Sequence, residues 1–246
     1  MLAIFAVGAA AGAVNAIVGS GSLITFPTLL AFGFPAVVAN VSNNIGLVPG
    51  NLSAAFGYRR ELAGQRSRLL RLGAVASAGS LAGAILLLSL SPRAFTLIVP
   101  GLILIACVLV LLQPRLSTWV AARQDRRAGT ARAGLVGGVF LSAAYGGYFG
   151  AAQGVLVIGI LGTFLGENLQ RINGAKNMLV AIVNASAAVV FIAFAHVAWL
   201  VVLLIAVGST IGGLLGARFG RRLPPIALRV FVVIIGVISA VKLIFF

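Results

Sequence analysis

Long apolar runs punctuated by Gly, Pro and Arg divide the chain into ten helical pieces, at roughly 1–18, 21–32, 36–57, 72–90, 94–112, 134–149, 154–166, 170–194, 198–217 and 226–246. Several uncharged stretches approach or exceed the roughly 20 residues needed to cross a bilayer. Two pieces are too short to span: at about 1.5 Å per residue, 21–32 and 154–166 each reach only about 20 Å. Each follows another helix across a glycine-rich break, Gly19-Ser20-Gly21-Ser22 in one case and Gly150-Ala151-Ala152-Gln153-Gly154 in the other. Helix, break and short returning helix predict a re-entrant hairpin. The fold class expected is an all-α integral membrane protein.

The two hairpins are related. A shift of 133 pairs Gly21 with Gly154, Leu23 with Leu156, Gly33 with Gly166, Asn40 with Asn173 and Asn44 with Asn177. The same shift aligns Asn51-x-Ser53-Ala54-Ala55 with Asn184-x-Ser186-Ala187-Ala188, Gly79-x-Leu81-x-Gly83-Ala84 with Gly212-x-Leu214-x-Gly216-Ala217, and Pro92 with Pro225. Over residues 21–101, 18 of 81 positions are identical without a gap. That is about 22%, where composition alone gives roughly 9%. Three Asn and a Pro recurring at one offset separate a duplication from mere Gly/Ala richness.

Composition agrees with the pattern. Of 246 residues, 61% are hydrophobic and 9% charged, and the mean hydropathy is +1.16. A soluble domain carries about 25% charged residues, so this chain cannot cover a globule with polar surface, and disorder requires low hydrophobicity. The net charge of +15 sets 18 Lys+Arg against Glu61, Asp125 and Glu167. The Arg residues occupy short loops between apolar segments, a membrane-topology pattern rather than a nucleic-acid surface. Cys107 is the only cysteine, so no internal disulfide forms. The first 18 residues lack a basic n-region and belong to the first repeat, so no removable signal peptide is expected.

Charge also orients the halves. Loop 58–71 holds Arg59, Arg60, Arg66, Arg68 and Arg71, whereas its counterpart from His196 to Trp199 has no Lys or Arg. Loop 91–93 has one Arg, while 218–225 has Arg218, Arg221 and Arg222. Loop 33–35 is uncharged, but its counterpart carries Glu167 and Arg171. Equivalent loops therefore fall on opposite sides of the membrane, with 58–71, 113–133 and 218–225 cytoplasmic by the positive-inside rule. Five pieces per half make the repeat inverted: 1–112 is the first half, 113–133 a basic cytoplasmic linker and 134–246 the second half, with both termini outside a bacterial inner membrane. Inverted repeats with broken helices mark secondary transporters whose site lies near the midplane. Channels share this architecture.

The hairpin Val18-Gly19-Ser20-Gly21-Ser22-Leu23 followed by Pro27, with the run from Ala39 through Asn40, Ser42 and Asn43, resembles the opening motif of the TauE/SafE-type sulfite and sulfonate exporter family. Length, duplicated halves and a basic central loop extend the resemblance over nearly the whole chain. Family members usually show more consecutive glycines, and Ile160 stands where a proline would repeat in the second half. The resemblance implies movement of small sulfur-containing anions such as sulfite or organosulfonates, commonly outward.

The polar inventory within the apolar segments is short, and such groups should face the bundle interior. Asn40, Asn43, Asn44 and Asn51 lie on 36–57; Asn173, Lys176, Asn177 and Asn184 occupy the same positions on 170–194. Their spacing puts Asn40, Asn43 or Asn44, and Asn51 near one helix face. They either line a polar cavity or join helices through amide hydrogen bonds. Lys176, where the first half has Asn43, lies about eight residues into its helix. Insertion scales place that cost at about 2.5–3.5 kcal/mol, and intramembrane ions are functional candidates. It either supplies a fixed positive charge to an anion or snorkels to the surface or to Glu167.

The helices after the breaks start with orphan N–H groups and the positive end of the dipole, which favours anions. Gly19, Gly21, Gly150 and Gly154 permit close approach, and Ser20, Ser22 and Gln153 add donors; the alternative is that the glycines only allow tight turns. The expected ligand is thus a small anion bound between the tips. No His/Cys/Asp/Glu cluster suggests a metal, His196 and Cys107 stand alone, and no cofactor or enzymatic chemistry is expected. With no carboxylate inside a helix, proton coupling is hard to build, which favours export down the membrane potential. Besides the bilayer, the partner considered is a second copy of the chain, through the small-residue stripes Gly79, Gly83, Gly212 and Gly216, which otherwise pack within one chain. The basic loop 113–133 sets topology or also binds lipid.

Overall fold

The computed structural model describes residues 1–122, 132–219 and 225–245. Among them the regular elements are all helices: α1 (Leu2–Ile17), α2 (Ser22–Ala31), α3 (Ala36–Gly57), α4 (Arg59–Leu62), α5 (Arg66–Ser89), α6 (Pro92–Ala122), α7 (Arg132–Tyr148), α8 (Gln153–Phe164), α9 (Leu169–Phe194), α10 (Trp199–Phe219) and α11 (Pro225–Phe245). All ten expected pieces are present, and α4 is an added turn inside the Arg-rich loop.

Two boundaries differ from the expectation. α5 begins at Arg66 instead of 72, because Leu69 and Leu72 are both buried and pull the Arg-bearing segment into the helix. α6 continues through Pro114 to Ala122, so the first ten residues of the expected linker are helical. Loss of one N–H at Pro114 does not break a helix whose next residues keep packing. Residues 123–131 of the linker, with Asp125, lie outside the described residues, as do Arg221 and Arg222 of loop 218–225, and 132–133 open α7.

α5, α9, α10 and the Pro92–Trp119 stretch of α6 are long and apolar enough to cross a membrane; α1, α2 and α8 are apolar but shorter. Large apolar side chains point outward along α5, α6, α10 and α11, among them Ile85, Leu104, Leu203, Ile211 and Ile234. Such a continuous apolar exterior is a lipid-facing surface rather than a water-facing one.

Packing follows the 133 shift. α1 packs on α10 as α7 packs on α5, α10 on α3 as α5 on α9, and α2 on α11 as α8 on α6. α3 meets α9, and α6 meets α11, between the halves. The closest crossings are glycine-lined. A Cβ on Gly79 or Gly83 would overlap the Phe140 or Ala144 carbonyl of α7; one on Gly212 or Gly216 would collide with Ala9 or Ala13 of α1. Both small-residue stripes are therefore used inside the chain, where they let backbones approach. An aromatic knot of Phe26, Phe95 and Phe149 fills the core beside the second break.

At one end, Glu167 between α8 and α9 accepts from Arg68 Nη1 of α5 at 2.9 Å and from Arg171 Nε at 2.6 Å. Partial burial pushes the Glu167 carboxyl up, but the hydrogen bonds and charges of the two guanidiniums outweigh it and hold it below the usual carboxylate range.

Two outcomes follow. Gly83→Leu and Gly212→Leu should destabilise the fold by about 1–3 kcal/mol or more, whereas Gly101→Ala, with open space around its Cα, should be neutral; thermal unfolding in detergent reads the difference. Because its folded-state pKa is depressed, Glu167 contributes stability that is present at neutral pH and lost as pH falls through the folded value. Glu167→Gln should cost about 1 kcal/mol at neutral pH, and melting curves of mutant and wild type should converge below the ordinary carboxylate range.

Candidate functional site

The site grows from the two breaks. After α1, Gly19 takes φ +83°, a left-handed turn open to glycine. The equivalent position in the second half is Ala152, at φ +58°, with Gly150 at φ +79° beside it. A left-handed alanine costs on the order of 1–3 kcal/mol and persists only where its surroundings enforce it. The two tips touch: Gly154 N–H donates to the Gly19 carbonyl at 3.2 Å. A Cβ on Gly19 would lie 2.6 Å from the Gly154 Cα, and one on Gly154 would lie 2.6 Å from the Gly19 Cα. Only glycine fits at that crossing.

A helix that stops inside the protein leaves carbonyls without backbone donors, and side chains from elsewhere supply them here. At the end of α1, Lys176 Nζ donates to the Asn15 and Ala16 carbonyls at 3.0 and 3.2 Å, and Asn177 Nδ2 to Ala16 at 3.4 Å. Gln113 Nε2 donates to Val18 at 3.2 Å. At the end of α7, Asn40 Nδ2 donates to the Tyr148 carbonyl at 3.0 Å and the Tyr145 hydroxyl to Ala151 at 2.7 Å. Asn15 and Tyr148 are equivalent under the shift, and so are Val18 and Ala151. α9 thus caps the broken helix of the first half, and α3 caps that of the second.

Lys176 has no exposed surface. Its stem runs past Gly154, where an added Cβ would sit 3.1 Å from Lys176 Cδ. It does not snorkel, and Glu167, the acid considered as its partner, is engaged by Arg68 and Arg171. No acid pairs with it among the described residues, so the ammonium is compensated by carbonyl dipoles alone.

The other amides divide into two roles. Asn51 Oδ1 accepts from Asn15 Nδ2 at 2.6 Å, and Asn184 Oδ1 accepts from Asn44 Nδ2 at 3.4 Å, so this pair of residues joins helices. Asn43 accepts from the Thr25 hydroxyl of α2 and ties α3 to the first hairpin. Gly21 N–H donates to Asn15 Oδ1 at 3.1 Å. Ser22 is half-buried at the first turn of α2. By contrast, Ser20 Oγ, both amide atoms of Gln153 and Asn173 Oδ1 have no hydrogen-bond partner among the described residues. Ser20 and Gln153 are equivalent under the shift and flank the touching glycines. Buried polar atoms are satisfied in the great majority of cases, so a matched orphan pair at one crossing calls for an explanation.

Sequence reasoning missed Asn15, Thr25, Gln113, Tyr145 and Ser142, whose buried hydroxyl is also unpartnered. Asn15 has no amide at its repeat position, and Gln113 stood in the expected linker. Two cavities lie at opposite ends of α3. One, of about 790 Å³, is bordered by Phe34, Ala36, Arg93, Thr96 and His196; the other, of about 700 Å³, by Phe56, Arg59, Arg60, Glu61 and Arg218. Neither reaches the crossing of the tips.

Comparison with known proteins finds relatives over nearly the whole chain. Residues 4–243 match the family model described as "Sulfite exporter TauE/SafE". The chain is 28% identical over 243 residues to "Probable membrane transporter protein YfcA" of Escherichia coli K12, covering 98% of this chain and 88% of that protein. It is 29% identical over 244 residues to a "Probable membrane transporter protein" of Haemophilus influenzae, covering 98% and 93%. A "Probable membrane transporter protein ORF9" of Sinorhizobium sp is 25% identical over 233 residues, covering 95% and 88%. No solved structure matches the chain. The chain belongs to the TauE/SafE sulfite exporter family and is a multi-pass membrane protein.

Asn15 serves three partners through its side chain and carbonyl. Asn15→Ala keeps the carbonyl that meets Lys176 but leaves Gly21 N–H and Asn51 Oδ1 buried without partners. About 1–3 kcal/mol per orphaned group is expected, read as a drop in melting temperature that Ser53→Ala, whose hydroxyl is only part-buried, should not match.

Proposed function

We propose that the protein is a secondary transporter that exports a small sulfur-containing anion, sulfite or an organosulfonate, by alternating access. The observation that carries this reading is the crossing of the two broken helices. There the stem of a fully buried lysine without a carboxylate partner passes Gly154, and the neighbours in sequence of the two touching glycines, Ser20 and Gln153, bury a hydroxyl and an amide that have no partner among the described residues. A neutral ligand has no use for the charge, and a cation would be repelled by it. An anion accepts from Lys176, Ser20 Oγ and Gln153 Nε2 at once, and charge-assisted hydrogen bonds are the stronger kind. Gly19, Gly21, Gly150, Gly154 and Ser22 shape the tips; Asn40, Asn43, Asn44, Asn173 and Asn177 hold the flanking helix ends in register.

The halves are 1–112 and 134–246, joined by the basic segment 113–133, and they are inverted relative to one another with both termini outside the cytoplasmic membrane. Equivalent helix contacts under one shift, with each broken end capped from the other half, support that arrangement. The Arg59/Arg60/Arg218 cavity is then the cytoplasmic vestibule and the Arg93/His196 cavity the outer one. Both are basic and concentrate anions. In the closed arrangement the Gly19–Gly154 contact seals the crossing, and parting of the tips toward one vestibule or the other admits the substrate. Export of an anion from an inside-negative cell gains about 2.3 kcal/mol per charge per 100 mV, so no further driving ion is required. The family description and the relatives' names as probable membrane transporters point the same way.

Radiolabelled sulfite flux in proteoliposomes tests the reading. Flux should saturate, be accelerated by sulfite on the opposite side and be competed by organosulfonates. Lys176→Ala should lower it at least about tenfold, on the scale of losing one charged hydrogen bond, while Ser20→Ala and Gln153→Leu raise KM. Unsaturable conductance would make the protein a channel. Absence of wild-type flux at either polarity would remove sulfite as substrate, and unchanged flux in a folded Lys176→Ala would remove this site.

A further inference from the structure

The contacts of Lys176 have a consequence beyond anion binding. The C-terminal carbonyls of half-helices are where transporters hold coupling cations, since these oxygens lack intrahelical donors and carry the negative end of the dipole. α1 ends in this way inside the protein. In a continuing helix the Gly19 N–H would reach the Asn15 carbonyl, but it donates to Val14 at 3.1 Å. The Asn15 and Ala16 carbonyls are left to the ammonium of Lys176, which sits 3.0 and 3.2 Å away with no exposed surface and no acid paired to it among the described residues. The equivalent end of α7 is different. Its Tyr148 carbonyl is met by the neutral amide of Asn40, and Asn43 holds the position of Lys176. One broken helix end is therefore capped by a charge and the other by a dipole.

We propose that the carbonyl end of α1 is a monovalent-cation site filled by the protein's own ammonium, so that Lys176 takes the place of a dissolved coupling ion. Transport then runs without sodium or potassium, a consequence that rests on the transport reading above. The site itself does not rest on it. Removing the side chain leaves two carbonyls and the Asn177 side chain around a space that a small alkali cation with water can enter, so Lys176→Ala converts a tethered cation into an exchangeable one.

The experiment uses purified full-length protein in detergent, in sodium, lithium or choline chloride at constant ionic strength, with melting temperature as the first readout. Sodium or lithium should raise the melting temperature of Lys176→Ala by several degrees over choline in a saturable manner, and leave wild type unchanged. A folded Lys176→Ala that does not distinguish sodium from choline overturns the proposal. So does a sodium-specific shift in wild type, a result that decides the matter even if Lys176→Ala does not fold. No substrate is present in this arm, so it stands apart from failure of the sulfite reading. In proteoliposomes, wild-type sulfite flux should be equal in choline and sodium media, and residual flux of Lys176→Ala should appear only with sodium. Wild-type flux that requires a dissolved alkali cation overturns the proposal as well.

Discussion

A backbone interrupted inside an apolar bundle must find partners for the N–H and C=O groups that the interruption frees, because lipid and hydrocarbon side chains supply none. That constraint organises this protein. Two helices, α1 and α7, end among buried residues, each followed across a short break by another helix. Buried polar side chains gather around their ends: Lys176, Asn177 and Gln113 on one, and Asn40 with the half-buried Tyr145 on the other. The partners come mostly from helices of the opposite half. α1 is capped from α9 and α7 from α3, which makes the crossing a product of the whole fold.

Close approach is the second requirement, and glycine meets it. The tips touch through Gly19 and Gly154, and the α1–α10 and α5–α7 crossings are set by Gly212, Gly216, Gly79 and Gly83 against backbone carbonyls. With helices this near, a short amide or a lysine stem can reach a neighbour's carbonyl. Larger residues at those positions would move the capping groups out of hydrogen-bond range as well as crowd the core. Packing and polar satisfaction are therefore one problem here, and a change in either is felt in the other.

Much of this is legible in the amino-acid sequence. Apolar runs located ten of the eleven helices described, the 133 shift set Lys176 against Asn43, and the depth of Lys176 marked it as unusual. What the pattern hid was long-range partnership. Asn15 caps the turn at Gly21 and holds Asn51, yet its repeat counterpart is a tyrosine, so periodicity did not mark it. Gln113 reads as the start of a basic linker because Pro114 and Arg115 follow, but α6 carries it inward to meet Val18. Arg66, Arg68 and Arg71 read as loop by charge, while the buried Leu69 decides the helix start. The left-handed Ala152 could not be anticipated at all, since nothing local favours that backbone; it follows from matching the turn that Gly19 makes freely.

The near-equivalence of the halves gives weight to the place where it fails. A duplicated frame with identical caps would present the same potential at both broken ends. Instead the α7 end is met by the neutral amide of Asn40, and the α1 end by Lys176 and Asn177. A single positive charge among the buried residues described is costly, and it cannot be ascribed to an ion pair with Glu167, which Arg68 and Arg171 engage. Its hydrogen bonds to α1 account for where the ammonium sits, because those carbonyls carry the negative end of a helix dipole. They do not account for why a cation stands where an amide suffices in the other half. On the transport reading, the same charge compensates the α1 carbonyls in the closed arrangement and an anion when the tips part. Two of its three N–H groups stay on those carbonyl oxygens and the third turns to the anion.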